Sequence, residues 1–376
     1  MRFLRFLLWT MVVLALLVGL ILITDNSYLL KGAWATYFHG TSTASIDDYQ
    51  YYDLREVKAS QPEAWPVLDS YNQMDLSPRL RETLENTSSV AFLVLQNDSL
   101  AYEEYWDGYS DSSLSNSFSM AKSIVTMLTQ RAIEDGYIKS WDDRVTTYLP
   151  EISGPYRADL KLFHLSTMTA GLEWDEHYHD PFDITARAYY GDDIQETMFE
   201  RVPVVIEPGS HFEYQSGATQ LLGFVVERAT GMRISEYAAQ TLWRDIGAKR
   251  SAFWHLDSED GREITYCCFN SNARDFARFG KLLMNHGSWN GKAVIDSSFL
   301  HRAVQPAASD YYGWSFWILQ DHEEQVFYLR GHLGQYVAVI PGRDLVIVRL
   351  GRESLEQVDH HHREFRIMVD EVLKSY

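Results

Sequence analysis

The sequence predicts an α+β fold: an antiparallel sheet made from N- and C-terminal strands, flanked by helices and interrupted by an inserted all-helical lobe, with a transmembrane helix in front. Three observations carry this prediction. An apolar run occupies the N-terminus, a pair of β-rich segments follows early in the chain, and after a long helical middle the hydrophobic period changes to that of strands.

The chain opens Met1-Arg2-Phe3-Leu4-Arg5 and continues with an apolar run from Phe6 to Ile23, interrupted only by Thr10. As a helix this run extends about 27 Å, close to the hydrocarbon thickness of a bilayer. Arg2 and Arg5 before it and Asp25 after it place the N-terminus in the cytoplasm and the rest of the chain outside. A cleaved signal peptide is the rival reading, but Leu20-Ile21-Leu22-Ile23-Thr24 lacks a small-residue cleavage pattern, which favours an uncleaved anchor over residues 1–24. From 25 to 74 no helical or alternating pattern persists, and the segment reads as a tether that becomes a strap over the main domain, 75–376.

Within that domain, Val90 to Gln96 and Leu100 to Trp106 are β-rich runs around Asn97-Asp98, a hairpin signature. An amphipathic run then extends from Asn116 to Gly136. Helices are expected near 160–168, 192–200, 217–230, 234–245 and 272–286, with Gly231 and Gly247 placed for C-caps. Tyr312 to Leu319, Gln325 to Arg330, Gln335 to Ile340 and Leu345 to Leu350 read as successive strands, with Pro341-Gly342 as a turn and a last helix around His362 to Lys374. His360-His361-His362 beside Asp359 reads as a solvated helix start.

Composition limits what the chain can do. With 376 residues, 46% hydrophobic and 14% aromatic, it has ample material for a core. The net charge of -19 argues against nucleic acid as a partner. Its only cysteines, Cys267 and Cys268, are adjacent, which excludes a disulfide framework stapling distant segments.

The chemistry centres on Asn116-Ser117-Phe118-Ser119-Met120-Ala121-Lys122-Ser123. At helical spacing Lys122 stands one turn above Ser119 on the same face, placing an amine beside a hydroxyl. A desolvated, neutral lysine takes a serine proton, and free N–H groups at a helix N-terminus stabilise an oxyanion. Ser119 is therefore the candidate nucleophile. Two further stretches are singled out: Tyr214-Gln215-Ser216, in a loop entering a helix, and Gly331-His332-Leu333-Gly334-Gln335, entering a strand.

With these three elements the sequence resembles the serine hydrolases of the penicillin-binding protein and class C β-lactamase superfamily, which carry S-x-x-K, Y-x-N or Y-x-S, and K-T-G or H-x-G. Leu165-Ser166-Thr167-Met168-Thr169-Ala170-Gly171-Leu172 and Asn272-Ala273-Arg274-Asp275-Phe276-Ala277-Arg278-Phe279-Gly280 resemble two supporting runs of that superfamily, and the likeness covers roughly residues 75–375. Within it, the chain looks most like the 6-aminohexanoate-dimer hydrolase and esterase branch. The resemblance implies a β-lactamase/transpeptidase-like fold, an acyl-enzyme at Ser119, and proton shuttling by Lys122 and Tyr214. It further implies an oxyanion hole from the backbone N–H groups of Ser119 and Gln335, substrate contacts at Ser216, His332 and Gly334, no cofactor and no metal. Tyr178, in the loop containing Trp174, His177, His179 and Asp180, is a candidate leaving-group contact. The expected substrate is a small amide or ester, and the expected location a bacterial inner membrane with the catalytic domain in the periplasm. A D,D-peptidase or β-lactamase is the alternative enzyme, and a non-hydrolytic anchored sensor the alternative of another class. Where the superfamily places Lys and Thr for a substrate carboxylate, this chain has His332 and Leu333.

Overall fold

A computed structural model describes residues 2–178 and 180–376. Its centre is a six-stranded antiparallel sheet in the spatial order Ser99–Tyr105, Ser89–Gln96, Leu345–Gly351, Gln335–Ile340, Val326–Gly331, Trp317–Leu319. The N-terminal hairpin turns on Asn97 and Asp98, both in the left-handed region (φ 49° and 60°), as a two-residue hairpin loop requires. Its inner strand pairs with Leu345–Gly351. The two ends of the chain thereby close one sheet around everything between them.

Alternation along the strands separates two cores. On one face Phe92, Val94, Tyr328, Tyr336 and Ile347 pack with Leu80 and Leu84 of helix Pro78–Asn86 and with Phe365, Met368 and Val369 of helix Arg363–Leu373. On the other, Leu93, Leu329, Val337, Val346 and Val348 meet helices Ala273–Met284 and Met120–Glu134. The first of these helices lies very close to the sheet, because a Cβ on Gly280 would stand 2.3 Å from Val346 Cγ1. Helix Met120–Glu134 buries residues on every side and packs against helix Ser216–Thr230, so it is a core helix rather than an amphipathic surface one.

The expected antiparallel sheet and inserted helices are present, with four differences of detail. The strand expected from Tyr312 shrinks to Trp317–Leu319, because Ser315 (φ 64°) turns inward, its carbonyl accepting from Ser123 Oγ at 2.5 Å and its hydroxyl reached by Thr126 Oγ1 at 2.8 Å. The helix expected over 234–245 breaks at Thr241 into Ile234–Gln240 and Leu242–Asp245. Residues 25–74 carry regular structure that their pattern does not announce: helix Tyr28–Ala35, and strand Leu54–Val57, which edges a second sheet by pairing with Ala252–His255. The histidine run is only partly solvated: His360 is exposed and His362 half-buried. His361 is fully buried, hydrogen-bonded to the Tyr328 hydroxyl at 2.6 Å and to Gln320 at 3.0 Å, and burial pulls its ring down to about 3.

In front of the domain, Arg2–Ile23 forms one 22-residue helix, long and apolar enough to cross a bilayer, and none of its described residues is buried.

Candidate active site

Ser119 is presented by a strand-to-helix turn. Ser115–Asn116 pairs with Phe269–Ser271; Phe118 then takes a left-handed conformation (φ 45°) with its N–H held by Asn116 Oδ1 at 2.9 Å, and Ser119 caps helix Met120–Glu134. The turn ends the strand abruptly and points the hydroxyl into a cleft. One helical turn on, Lys122 is buried (1% exposed), and its Nζ donates to Ser119 Oγ at 2.9 Å and to the Tyr266 carbonyl at 3.1 Å. The rings of Tyr214 and Tyr266 lie 5.0 and 5.5 Å from that Nζ. Burial pulls the Lys122 ammonium down to about 8, against the Glu176 carboxylate, which pulls it up. An amine so placed is neutral in a large fraction of molecules at mildly alkaline pH, and a neutral amine accepts a proton.

Tyr214, half-buried, completes the cluster. Burial and the charge of Glu176 raise its phenol, while a hydrogen bond with Ser119 opposes them, so the hydroxyl keeps its proton and can give one away.

Glu176 is the residue that sequence reasoning missed. Its carboxylate accepts from Ser216 N at 2.8 Å, Ser216 Oγ at 2.5 Å, Trp174 Nε1 at 2.7 Å and the Tyr178 hydroxyl at 2.6 Å. Four donors satisfy both oxygens, which makes the group a fixed anion rather than an open acceptor. Its only sequence signal is the spacing of two residues from both Trp174 and Tyr178, which nothing distinguishes from the neighbouring Asp175.

The remaining candidates divide. Ser119, Tyr178, Ser216 and His332 meet in a largely apolar pocket walled by Phe118, Tyr189, Tyr190, Tyr266 and Cys267. On the other side of Ser119 the cleft continues past Tyr214 into a more polar half with Arg330, Gln357 and His362. His332 sits between the two halves, its ring edge-on to Phe118 at 5.5 Å and tilted against Tyr178 at 5.3 Å. Gln335 is buried, and its side chain ties the His332 carbonyl at 3.0 Å to Gly351 O at 2.7 Å. Gly334 (φ 78°) faces inward, where a Cβ would meet Arg349 Nη1 at 2.1 Å. The glycine that brings this turn against the strand leading to Ser119 is Gly331, where a Cβ would stand 2.1 Å from the Ser117 carbonyl. Cys267, in the pocket wall, is joined to its neighbour Cys268. His177 pairs on the exposed surface with Asp175 at 3.0 Å and Asp183 at 3.7 Å, and His179 lies outside the described residues.

A buried lysine bonded to a serine at a helix N-terminus, on this sheet, defines a serine hydrolase of the β-lactamase type. The Beta-lactamase family profile matches residues 78–368, and the chain belongs to that family. Among curated relatives, the 6-aminohexanoate-dimer hydrolase of Paenarthrobacter ureafaciens is 26% identical over 309 residues, covering 76% of this chain and 78% of the relative. Among solved structures, a Bacillus anthracis protein proposed to be a 6-aminohexanoate-dimer hydrolase superimposes with a TM-score of 0.73 at 22% identity, covering 92% of this chain and 95% of that one. A family VIII carboxylesterase superimposes with a TM-score of 0.59 at 15% identity, over 81% and 99%. The two structures share the fold.

Proposed function

We propose that this protein hydrolyses amides or esters through an acyl-enzyme at Ser119. The carrying observation is the 2.9 Å hydrogen bond from a buried Lys122, lowered to about 8, to the Ser119 hydroxyl. Ser119 Oγ bonds to the substrate carbonyl carbon as its proton passes to neutral Lys122. The Tyr214 hydroxyl gives its proton to the leaving nitrogen or oxygen as the C–N or C–O bond breaks, and recovers one from Lys122. Water then releases the acyl group. The N–H groups of Ser119, at a helix N-terminus, and of Gln335 take the oxyanion; the close approach at Gly331 supports this pairing.

The Tyr178 hydroxyl donates to Glu176, which leaves its oxygen free to accept an N–H from an amide leaving group. Likeness to an amide hydrolase and to a carboxylesterase supports both substrate classes. Against the carboxylate-bearing β-lactams stand His332 and Leu333, which offer neither a fixed ammonium nor a hydroxyl. Arg330, the cation nearby, already donates to the His360 carbonyl at 2.9 Å, bonds the His362 ring at 3.1 Å and stacks on Trp317.

Steady-state kinetics on p-nitrophenyl butyrate tests the proposal. Ser119→Ala abolishes turnover, Lys122→Ala lowers kcat by a factor on the order of 10³ or more because the two act as one proton-transfer unit, and benzylpenicillin is a roughly 100-fold poorer substrate than the ester. Wild-type turnover by Ser119→Ala ends the mechanism; equal kcat/KM for the two substrates assigns a carboxylate anchor to Arg330.

A further inference from the structure

The helix Ile184–Tyr190 has two faces with two partners. Thr185, Ala186, Tyr189 and Tyr190 wall the pocket beside Ser119. Arg187, on the opposite side, holds the end of the apolar N-terminal helix: its Nη2 donates to the Asp25 carbonyl at 2.7 Å and to Asn26 Oδ1 at 2.9 Å, and its guanidinium lies over the Tyr28 ring. Arg201 adds an ion pair to Asp25 at 2.6 Å, and Lys31 donates to the Asp257 carbonyl at 2.7 Å. The exit of that helix is thus clamped to the wall of the active-site pocket.

A groove runs between the same two elements. It is lined by Leu29, Ala33 and Tyr37 on one side and by Tyr178, Pro181 and Ala186 on the other, and it shares Tyr178, Ala186, Tyr190 and Thr43 with the pocket at Ser119. The two cavities therefore meet at these four side chains, which wall both. Where the groove reaches the surface, large apolar side chains stand out: Tyr37 is 71% exposed, Phe38 79% and Phe182 72%. Four linking residues and a helix of 1.5 Å per residue keep Trp34 within about 25 Å of Ile23. Exposed aromatic rings this near in the chain to a spanning helix are of the kind favoured at a lipid headgroup surface.

We infer that the substrate is a bilayer amphiphile, whose acyl chain enters through the groove between helices Tyr28–Ala35 and Ile184–Tyr190 to reach Ser119 while its polar head lies in the half of the cleft holding Arg330. The inference rests on the catalytic reading above and on Arg2–Ile23 spanning a membrane. It explains why the strap is fixed to the pocket wall by charged clamps instead of hanging free. It also explains the division of the cleft, aromatic on the anchor side and polar on the other. The bond cleaved is still the amide or ester next to the chain's carbonyl, with water as the co-reactant.

The test uses the full chain reconstituted in phosphatidylcholine vesicles with p-nitrophenyl esters from acetate to dodecanoate. The expected result is a kcat/KM for dodecanoate about 10-fold or more above acetate, since each methylene buried in the groove adds binding. Phe38→Ser with Phe182→Ser, both at the surface, removes most of that advantage and leaves acetate turnover in place; Ala33→Trp, which narrows the groove, moves the preferred chain to shorter lengths. A flat chain-length profile alongside Ser119-dependent acetate turnover overturns the inference and leaves the catalytic reading standing. Absence of Ser119-dependent turnover of every ester overturns both.

Discussion

In the proposed mechanism Lys122 sets the pH behaviour of the site, because only its neutral form takes the Ser119 proton. Its pKa of about 8 follows from burial, opposed by the Glu176 charge. Activity therefore requires loss of a proton, and kcat/KM rises with pH through about 8 and levels off above it. Glu176→Gln removes the charge that holds the ammonium up, so the rising limb moves to lower pH. The same change weakens the hydrogen bonds that fix Tyr178 and Ser216, and kcat falls. A pH–rate profile of both proteins checks the pair of effects; a limb that stays in place separates Glu176 from the proton transfer and leaves it a strut. Ser119 and Lys122 are visible in sequence because a helix puts i and i+3 side by side. Glu176 reaches Ser216 from 40 residues away, through a loop with no period, and no local pattern announces that contact.

Among the elements, the turn Gly331–Gln335 shows how the sheet serves the site. Arg349, buried on strand Leu345–Gly351, donates to the carbonyls of Leu333 at 3.0 Å and Gly334 at 2.7 Å, to Thr87 O at 2.5 Å, to Glu353 O at 3.0 Å and to Ser89 Oγ at 3.0 Å. It ties the turn that carries Gln335 to the start of strand Ser89–Gln96 and to the residues just past its own strand. Arg349→Met leaves these acceptors buried and unpaired, which costs about 3 kcal/mol or more of stability and loosens the Gln335 N–H. The expected outcome is a lower thermal midpoint together with a fall in kcat larger than the change in KM; an unchanged midpoint shows that water replaces the guanidinium. The central strands were legible because their apolar residues alternate towards two separate cores. Helix Tyr28–Ala35 was not, since its eight residues owe their order to Arg187 and to Tyr190 packed on Gly32, contacts more than 150 residues away in sequence. His361 reads as a solvated residue for a related reason: its burial depends on Tyr328, 33 residues away in the chain.

The whole molecule joins a family fold to an apolar N-terminal helix long enough to cross a bilayer. If Arg2–Ile23 spans a membrane, Arg2 and Arg5 ahead of the apolar helix and Asp25 behind it predict a C-terminus outside the cytoplasm. A C-terminal reporter active only in the cytoplasm accordingly stays silent; signal from it reverses the orientation, and recovery of a shortened soluble form shows that the helix is a cleaved signal. The catalytic claim depends on neither outcome. It depends on a covalent bond at one oxygen, and the most direct measurement is peptide mass mapping of the chain after reaction with a fluorophosphonate. The account predicts a single adduct on the peptide holding Ser119, lost in Ser119→Ala and strongly slowed in Lys122→Ala. An adduct on another residue, or one that persists in Ser119→Ala, would contradict it.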